Sequence, residues 1–401
     1  MEPTNKYQYK PSDTTKLFQK LSIILYLCGF VDFWIEDVKL PAKFVRLYNS
    51  FRIFIELLMF SFMVLEVGAF FTQNNLTEKQ SADRLVYGIS HPILYIYCLN
   101  LLYYKKEIRE VLYRLAASLK DVYNDEEVEK HMLRKLKFYL MAYVTSCGSC
   151  MVFYGASAWI QYIRLGSPFT TVITAWPDTL DESHQAHIFR VLFYLIWWIY
   201  FTRVSASYIL ILSMFISLSF QYTNLQSYFS GLKRIFDSPL EQRDKEAQFL
   251  SAFETGVRLH LDTIWCKQEC QRIYNIIFSA QLLQTVAELV SVMSMMINSE
   301  RTVVNLGAVM STTCGALIST GFLMWNAGDV TVEASYLPAA IYCSGWQNVR
   351  HASLQSRHLV IMAITQAQRP VVFTALGFVP ISYETYLKIA KISYSVFSVV
   401  Y

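Results

Sequence analysis

Apolar residues run through this chain in long stretches, and polar residues collect between them. Six stretches are long enough for a bilayer-crossing helix of roughly 20 mostly apolar residues. They are 53–71, 85–104, 138–160, 191–220, 273–298 and 302–327. A seventh, 375–401, is broken up by Pro380, Glu384, Lys388 and Lys391. Between the spans the pattern changes. After Pro239, Phe249, Phe253, Val257, Leu261 and Ile264 recur at helical spacing among charged neighbours. Residues 339–369 repeat this with Ile341, Trp346, Leu354 and Leu359, and 105–137 is charged and helix-prone. Near the start, Leu17, Leu21, Ile24, Leu25 and Cys28 share one face of an amphipathic helix suited to the inner interface.

Composition agrees with a membrane protein. The 401 residues are 54% apolar, 15% aromatic and only 16% charged, and mean hydropathy is +0.29. A soluble domain carries about 25% charge. The net charge of +4 and the absence of a basic patch interleaved with aromatics give no reason to expect nucleic acid as a partner. Residues 1–16 are polar, so no secretory signal peptide is expected there.

Basic residues orient the spans. Taken in alternate compartments, the connecting segments hold 25 Lys/Arg against 5. The larger share belongs to 1–43, 105–137, 221–272 and 328–370. The expectation is therefore an all-α, seven-span protein with a cytoplasmic N-terminus and an extracellular C-terminus. Its divisions are a cytoplasmic N-terminus with an interfacial helix (1–43), spans one to four as a ligand-binding bundle (44–220) and a cytoplasmic helical extension (221–272). Spans five and six (273–327), a cytoplasmic anchor helix (328–370) and a last span (371–401) follow. The sole N-x-S/T sequon, at Asn75, falls in the outer loop 72–84 and is the expected glycosylation site. None of the eight cysteines lies in an outer loop, so no structural disulfide is expected. This orientation is the reverse of a G-protein-coupled receptor. There is also no Asp-Arg-Tyr after span three and no Asn-Pro-x-x-Tyr in span seven.

The C-terminal stretch is the most specific. It reads Thr374-Ala375-Leu376-Gly377-Phe378-Val379-Pro380-Ile381-Ser382-Tyr383-Glu384-Thr385-Tyr386-Leu387-Lys388, then Ser393-Tyr394-Ser395-Val396-Phe397-Ser398. It resembles the signature of the ligand-tuned subunits of insect odorant receptors, as do Ser335 to Tyr342 and Trp346 upstream. The resemblance implies a subunit of an odorant-gated, non-selective cation channel. Such a subunit assembles with a shared co-receptor into a heterotetramer in the plasma membrane of a sensory dendrite. It also implies a cytoplasmic anchor between subunits, a pore lined by the last helix, and an odorant pocket in the outer half of the membrane among helices two, three, four and six. Ser393-Tyr394 is not followed by the Gln-Phe of gustatory receptors, and 221–272 is too short for the co-receptor's insertion. A gustatory-type channel, a multi-span enzyme and a transporter remain as alternatives. A membrane acyltransferase would need an intramembrane His with an acidic or Asn partner, which His91 lacks in sequence.

Site residues follow from this resemblance and from helical faces. Pore candidates are Ile392, Ser395 and Val399 on one face, with Val399 as a hydrophobic constriction. Pocket candidates are His91, Pro92 and Tyr95 in span two and Val152, Gly155 and Trp159 in span three. Trp198, Phe201, Thr202 and Ser205 in span four and Val309, Met310 and Thr313 in span six complete them. Gly155 is expected to leave room for ligand, and His91 to make weak acids or phenols plausible. The expected partners are a small volatile odorant, aromatic or heterocyclic, co-receptor subunits, lipids and permeant cations. Arg203 is expected to face the bundle, toward Glu288 or Glu66. Cys147 and Cys150 read as buried small residues rather than a redox pair, His184-x-x-His187 as a weak metal candidate, and no cofactor or catalytic motif is present.

Overall fold

A computed structural model of the chain describes residues 9–34, 41–298, 303–351 and 354–400. The short loop 299–301 and Tyr401 lie outside them. The chain is helical almost throughout. The helices are α1 (Asp13–Leu27), α2 (Ala42–Thr72), α3 (Glu78–Tyr103), α4 (Lys105–Tyr113), α5 (Leu119–Val122), α6 (Glu126–Leu165) and α7 (His184–Gly231). Then come α8 (Gln242–Asn298), α9 (Val303–Tyr342) and α10 (Leu354–Ala367). A two-stranded hairpin follows, β1 (Thr374–Ala375) and β2 (Val379–Pro380), and the last helix is α11 (Tyr383–Val400).

The boundaries have local causes. Ser12 and Thr15 reciprocally cap α1, as Thr77 and Gln80 cap α3. Asp125 caps α6, which stops at Gly166 with φ +63°. By length and composition, α2, α3, α6, α7 and α8 qualify as membrane spans among the described residues. Helix α7 is the centre of the bundle: nearly every residue from Arg203 to Ser219 is buried. It is apolar on all sides, as a buried helix should be. Inside lipid, close packing rather than water expulsion holds helices together, and small residues allow it. Ser207 and Ser213 are buried there and return their hydroxyls to Arg203 O and Ile209 O at 3.1 and 2.7 Å.

One end of the bundle is strapped. Gln73 Nε2 donates to Thr174 O at 2.9 Å and Pro177 O at 3.0 Å, and Arg190 Nη2 to Asp178 O and Asp181 O. The end of α2 and the start of α7 therefore sit side by side, beneath a folded 167–183 segment. Asn75 is exposed beside them.

At the other end the helices outrun the bundle. Phe249 and Phe253 are buried and pack against Phe236 and Phe229, tilted and edge-on respectively, so the apolar stripe of 241–272 does find partners. The expected stripe needs correction at Leu261, which is 54% exposed. His260 and Thr263 take the buried face instead, which then continues through Cys266 and Cys270. Leu354 is likewise exposed, while Ile341 is buried.

The last helix also differs from expectation. Its helix begins at Tyr383, not 375, because Leu376 and Gly377 adopt positive φ and turn the chain into the hairpin. Gln271 brackets Thr374 through two 2.9 Å hydrogen bonds and fixes that hairpin on α8. The 18 residues of α11 give roughly 27 Å of helix.

Candidate functional site

A cavity of about 130 Å³ lies between α3, α6, α7, α8 and α9. Its walls are largely aromatic. Trp197, Tyr200 and Phe201 come from α7, and Tyr143 of α6 stacks on Tyr208 of α7 with ring centres 4.2 Å apart. Cys147, Cys150 and Met151 of α6 and Gly315, Ala316 and Ser319 of α9 line it as well. Helix α8 contributes Gln281, Gln284 and Glu288 at i, i+3 and i+7, which is one helical face.

Polar groups at this depth are tied to one another. Trp197 Nε1 donates to His91 Nε2 at 3.0 Å, and an indole can only donate. Nε2 must then be the acceptor, so the ring proton sits on Nδ1 and is given to Glu66 Oε1 at 2.6 Å. His91 borders the cavity with both nitrogens engaged, which removes the basis for expecting acids or phenols to bind it. Tyr200 donates to His91 O, and Tyr208 to Ser319 O. Gln281 accepts from Tyr97 and donates to Thr320 Oγ1 at 2.8 Å.

Arg203 corrects an expectation. It is 1% exposed and pairs with Glu56, not with Glu66 or Glu288, while its guanidinium lies 4.6 Å from the Phe30 ring centre. Depth decides the pairing. Arg203 lies 19 residues into α7, roughly 28 Å at 1.5 Å per residue, and Glu56 lies 16 residues before the adjacent end of α2, roughly 24 Å. Glu66 lies only 6 residues from that end, roughly 9 Å.

Of the pocket candidates, the structure gathers His91, Phe201 and Ser205 at the cavity. Val152 and Trp159 point outward, 57% and 55% exposed. A Cβ on Gly155 would stand 2.2 Å from Tyr194 Oη, so the space it leaves is filled by Tyr194. Tyr95 donates to Glu56 Oε2 at 2.6 Å. Pro92 lies inside α3. Trp198 packs edge-on against Tyr194 and Phe201, and Thr202 returns its hydroxyl to Trp198 O. Val309 is buried with Val292, Met310 is exposed, and Thr313 bonds Val309 O. Sequence reasoning passed over Tyr143, Trp197 and the α8 face. The signal for that face was present, because Gln281, Gln284 and Glu288 are polar at helical spacing in an apolar span.

On α11, Ile392 and Ser395 are exposed while Ser393 is fully buried against the bundle. Val399 belongs to its last turn, with a side chain outside the described ones. Helix α11 packs on α8 and α9. Tyr383 at its start donates to Asp329 of α9, which also receives Lys135 of α6. Among the described residues no three His, Cys, Asp or Glu side chains gather as a metal site, and His184 and His187 stay apart from any such group.

Comparison with known proteins follows the fold. A family profile described as 7tm Odorant receptor matches residues 82–394. No curated protein sequence matches. The chain is similar to the insect olfactory receptor OR5 from Machilis hrabei solved in complex with eugenol, with a TM-score of 0.80 and 13% identity, covering 96% of this chain and 97% of that one. The OR5 structure without that ligand named gives 0.78 and 12%, with the same coverage.

Proposed function

The chain belongs to the 7tm odorant receptor family, and from that we propose that it is the odorant-specific subunit of a ligand-gated, non-selective cation channel. It is a multi-pass membrane protein of a family of ligand-gated channels. The proposed arrangement has seven spans, N-terminus inside and C-terminus outside, in the plasma membrane of a sensory dendrite. The excess of basic residues on one set of connecting segments supports it. The domain divisions of the sequence reading carry over with the last helix starting at Tyr383. A small volatile odorant occupies the α3/α6/α7/α8/α9 cavity. The cavity matches the size at which an engineered apolar void of ~150 Å³ takes up benzene, and the eugenol complex of the Machilis receptor supports a small-molecule ligand.

The observation that carries the reading is that α8 and α9 both line the cavity and pack on α11. A ligand shifts gating only by binding two states unequally. Occupying the cavity repositions α8 and α9, and the Asp329 link to Tyr383 passes that bias to the last helix. Co-receptor subunits join through the cytoplasmic helices. In the assembled heterotetramer, the exposed α11 face with Ile392 and Ser395 lines the pore, and Val399 constricts it near the outer end.

Whole-cell recording with and without an insect co-receptor, during odorant pulses and with G-protein signalling blocked, tests this. The expected result is a fast cation current only in co-expressing cells. Current from this chain alone would overturn the need for a partner. No current with any odorant, despite surface expression, would count against the channel reading.

A further inference from the structure

Among the described residues, three glutamates lie within the bundle, and two have basic or imidazole partners: Glu56 has Arg203, and Glu66 has His91. Glu288, facing the cavity, takes Gln284 Nε2 on its Oε1 at 2.8 Å, with Ser90 as a second hydrogen-bonding neighbour and His91, whose two nitrogens are already engaged, nearby. That bond turns the Gln284 carbonyl into an unused acceptor. Gln284 is 4% exposed, lines the cavity, and its Oε1 has no partner. Meanwhile the donors of Trp197, His91, Tyr200 and Tyr208 are all spent within the protein. Apart from the Ser205 hydroxyl, which lines the cavity without a partner, the cavity therefore offers acceptors and a carboxyl group to whatever enters it, and Trp197, Tyr200 and Tyr143 line it with them. A carboxylate beside stacked aromatic faces is the chemistry that binds an ammonium, by charge-assisted hydrogen bonds and by cation–π attraction. A bare carboxylate this deep in an apolar bundle is costly, and a cationic ligand offsets that cost.

We propose that the ligand of this cavity is a small amine, its ammonium held by Glu288 and Gln284 Oε1 and its apolar body against Trp197 and Tyr200. The volume limits it to about one ring. This rests on the odorant-receptor reading and names the class of odorant within it.

The test is a one-ring series, benzylamine, benzyl alcohol and toluene, applied to cells expressing the chain with a co-receptor, with wild type beside Glu288→Gln. Benzylamine should act at a concentration at least about tenfold below the alcohol, the effect of one charge-assisted hydrogen bond. Glu288→Gln should raise the benzylamine concentration about tenfold more than that of the alcohol. Glu288→Asp, which keeps the charge, should retain the preference for the amine. Alcohol or toluene as potent as the amine, or equal losses for amine and alcohol in Glu288→Gln, would overturn the proposal while leaving an odorant-gated channel intact. Thermal melting of the purified chain separates the other failure. A rise in melting temperature with benzylamine that Glu288→Gln abolishes, without any current, would uphold the amine site and refute the channel. No rise with benzylamine and no amine current would refute the site.

Discussion

Replacing Glu56 by Gln strands the Arg203 guanidinium. Arg203 is 1% exposed, and the groups left around it, the Met59 sulfur at 3.2 Å from Nη1 and the Phe30 ring among them, include, of the described residues, no second carboxylate partner. Breaking a buried pair by removing one partner costs about 3–5 kcal/mol, since the survivor is an uncompensated charge. Glu56 keeps 27% of its side chain exposed, which places the loss at the lower end, about 3 kcal/mol. Phe30 retains about 1 kcal/mol of cation–π attraction in the variant. The Tyr95 hydroxyl loses its charged acceptor as well. Removing both charges, with Glu56→Leu and Arg203→Met together, should restore most of the stability, because well-packed apolar replacements of buried ion pairs are close to neutral. The assay is the melting temperature of detergent-extracted protein, followed by fluorescence-detected size exclusion. Glu56→Gln should melt well below wild type, and the double variant should recover. A Glu56→Gln protein as stable as wild type would refute the pairing. So would a double variant whose loss equals the sum of the two single losses.

Burial in the part of α8 that outruns the bundle lowers the pKa of His260 to about 4, against the usual ~6.5. As pH falls the unfolded chain takes that proton first, so the stability due to a neutral His260 is present above about pH 6.5 and lost toward pH 4, about 3 kcal/mol in all. Melting temperature against pH should fall less steeply over that window for His260→Asn, and identical profiles would refute this. Gly155→Ala must push Tyr194, whose hydroxyl would stand 2.2 Å from the new methyl, toward Trp197 at the cavity wall. A cost of about 1–3 kcal/mol and a shifted odorant potency are expected, read by melting and by dose–response. Val399→Ala should raise basal current or alter permeation in the co-expressed channel, and unchanged currents would argue against a constriction there. Asn75→Gln should remove a glycan and increase gel mobility in eukaryotic cells if the strapped end is extracellular, and unchanged mobility would oppose that orientation.

The long elements were legible because they rest on local chemistry. The run of α8 from Gln242 follows from a stretch without proline after Pro239, and the end of α6 from Gly166. The hairpin before α11 had its signals in Gly377 and Pro380, but the apolar residues around them read as span. Which helix pairs with which was not legible. Arg203 meets Glu56 through equal depth in two antiparallel helices, and that register depends on loops and tilts far from either residue.

The pocket shows the deeper reason. In a soluble protein, water marks one face of a helix by making it polar. In lipid both the packed face and the outer face are apolar, because hydrocarbon tails are as apolar as leucine. Nothing in residues 138–160 therefore separates Val152 and Trp159, which point outward, from Tyr143, Cys147 and Met151, which line the cavity. Only polar residues carry that information inside a span. Arg203, His91 and Gln281, Gln284 and Glu288 all face inward, and all but Arg203 also mark the cavity wall. A pocket search in such a chain should therefore begin from the polar residues of the spans and only then ask which aromatic residues stand beside them.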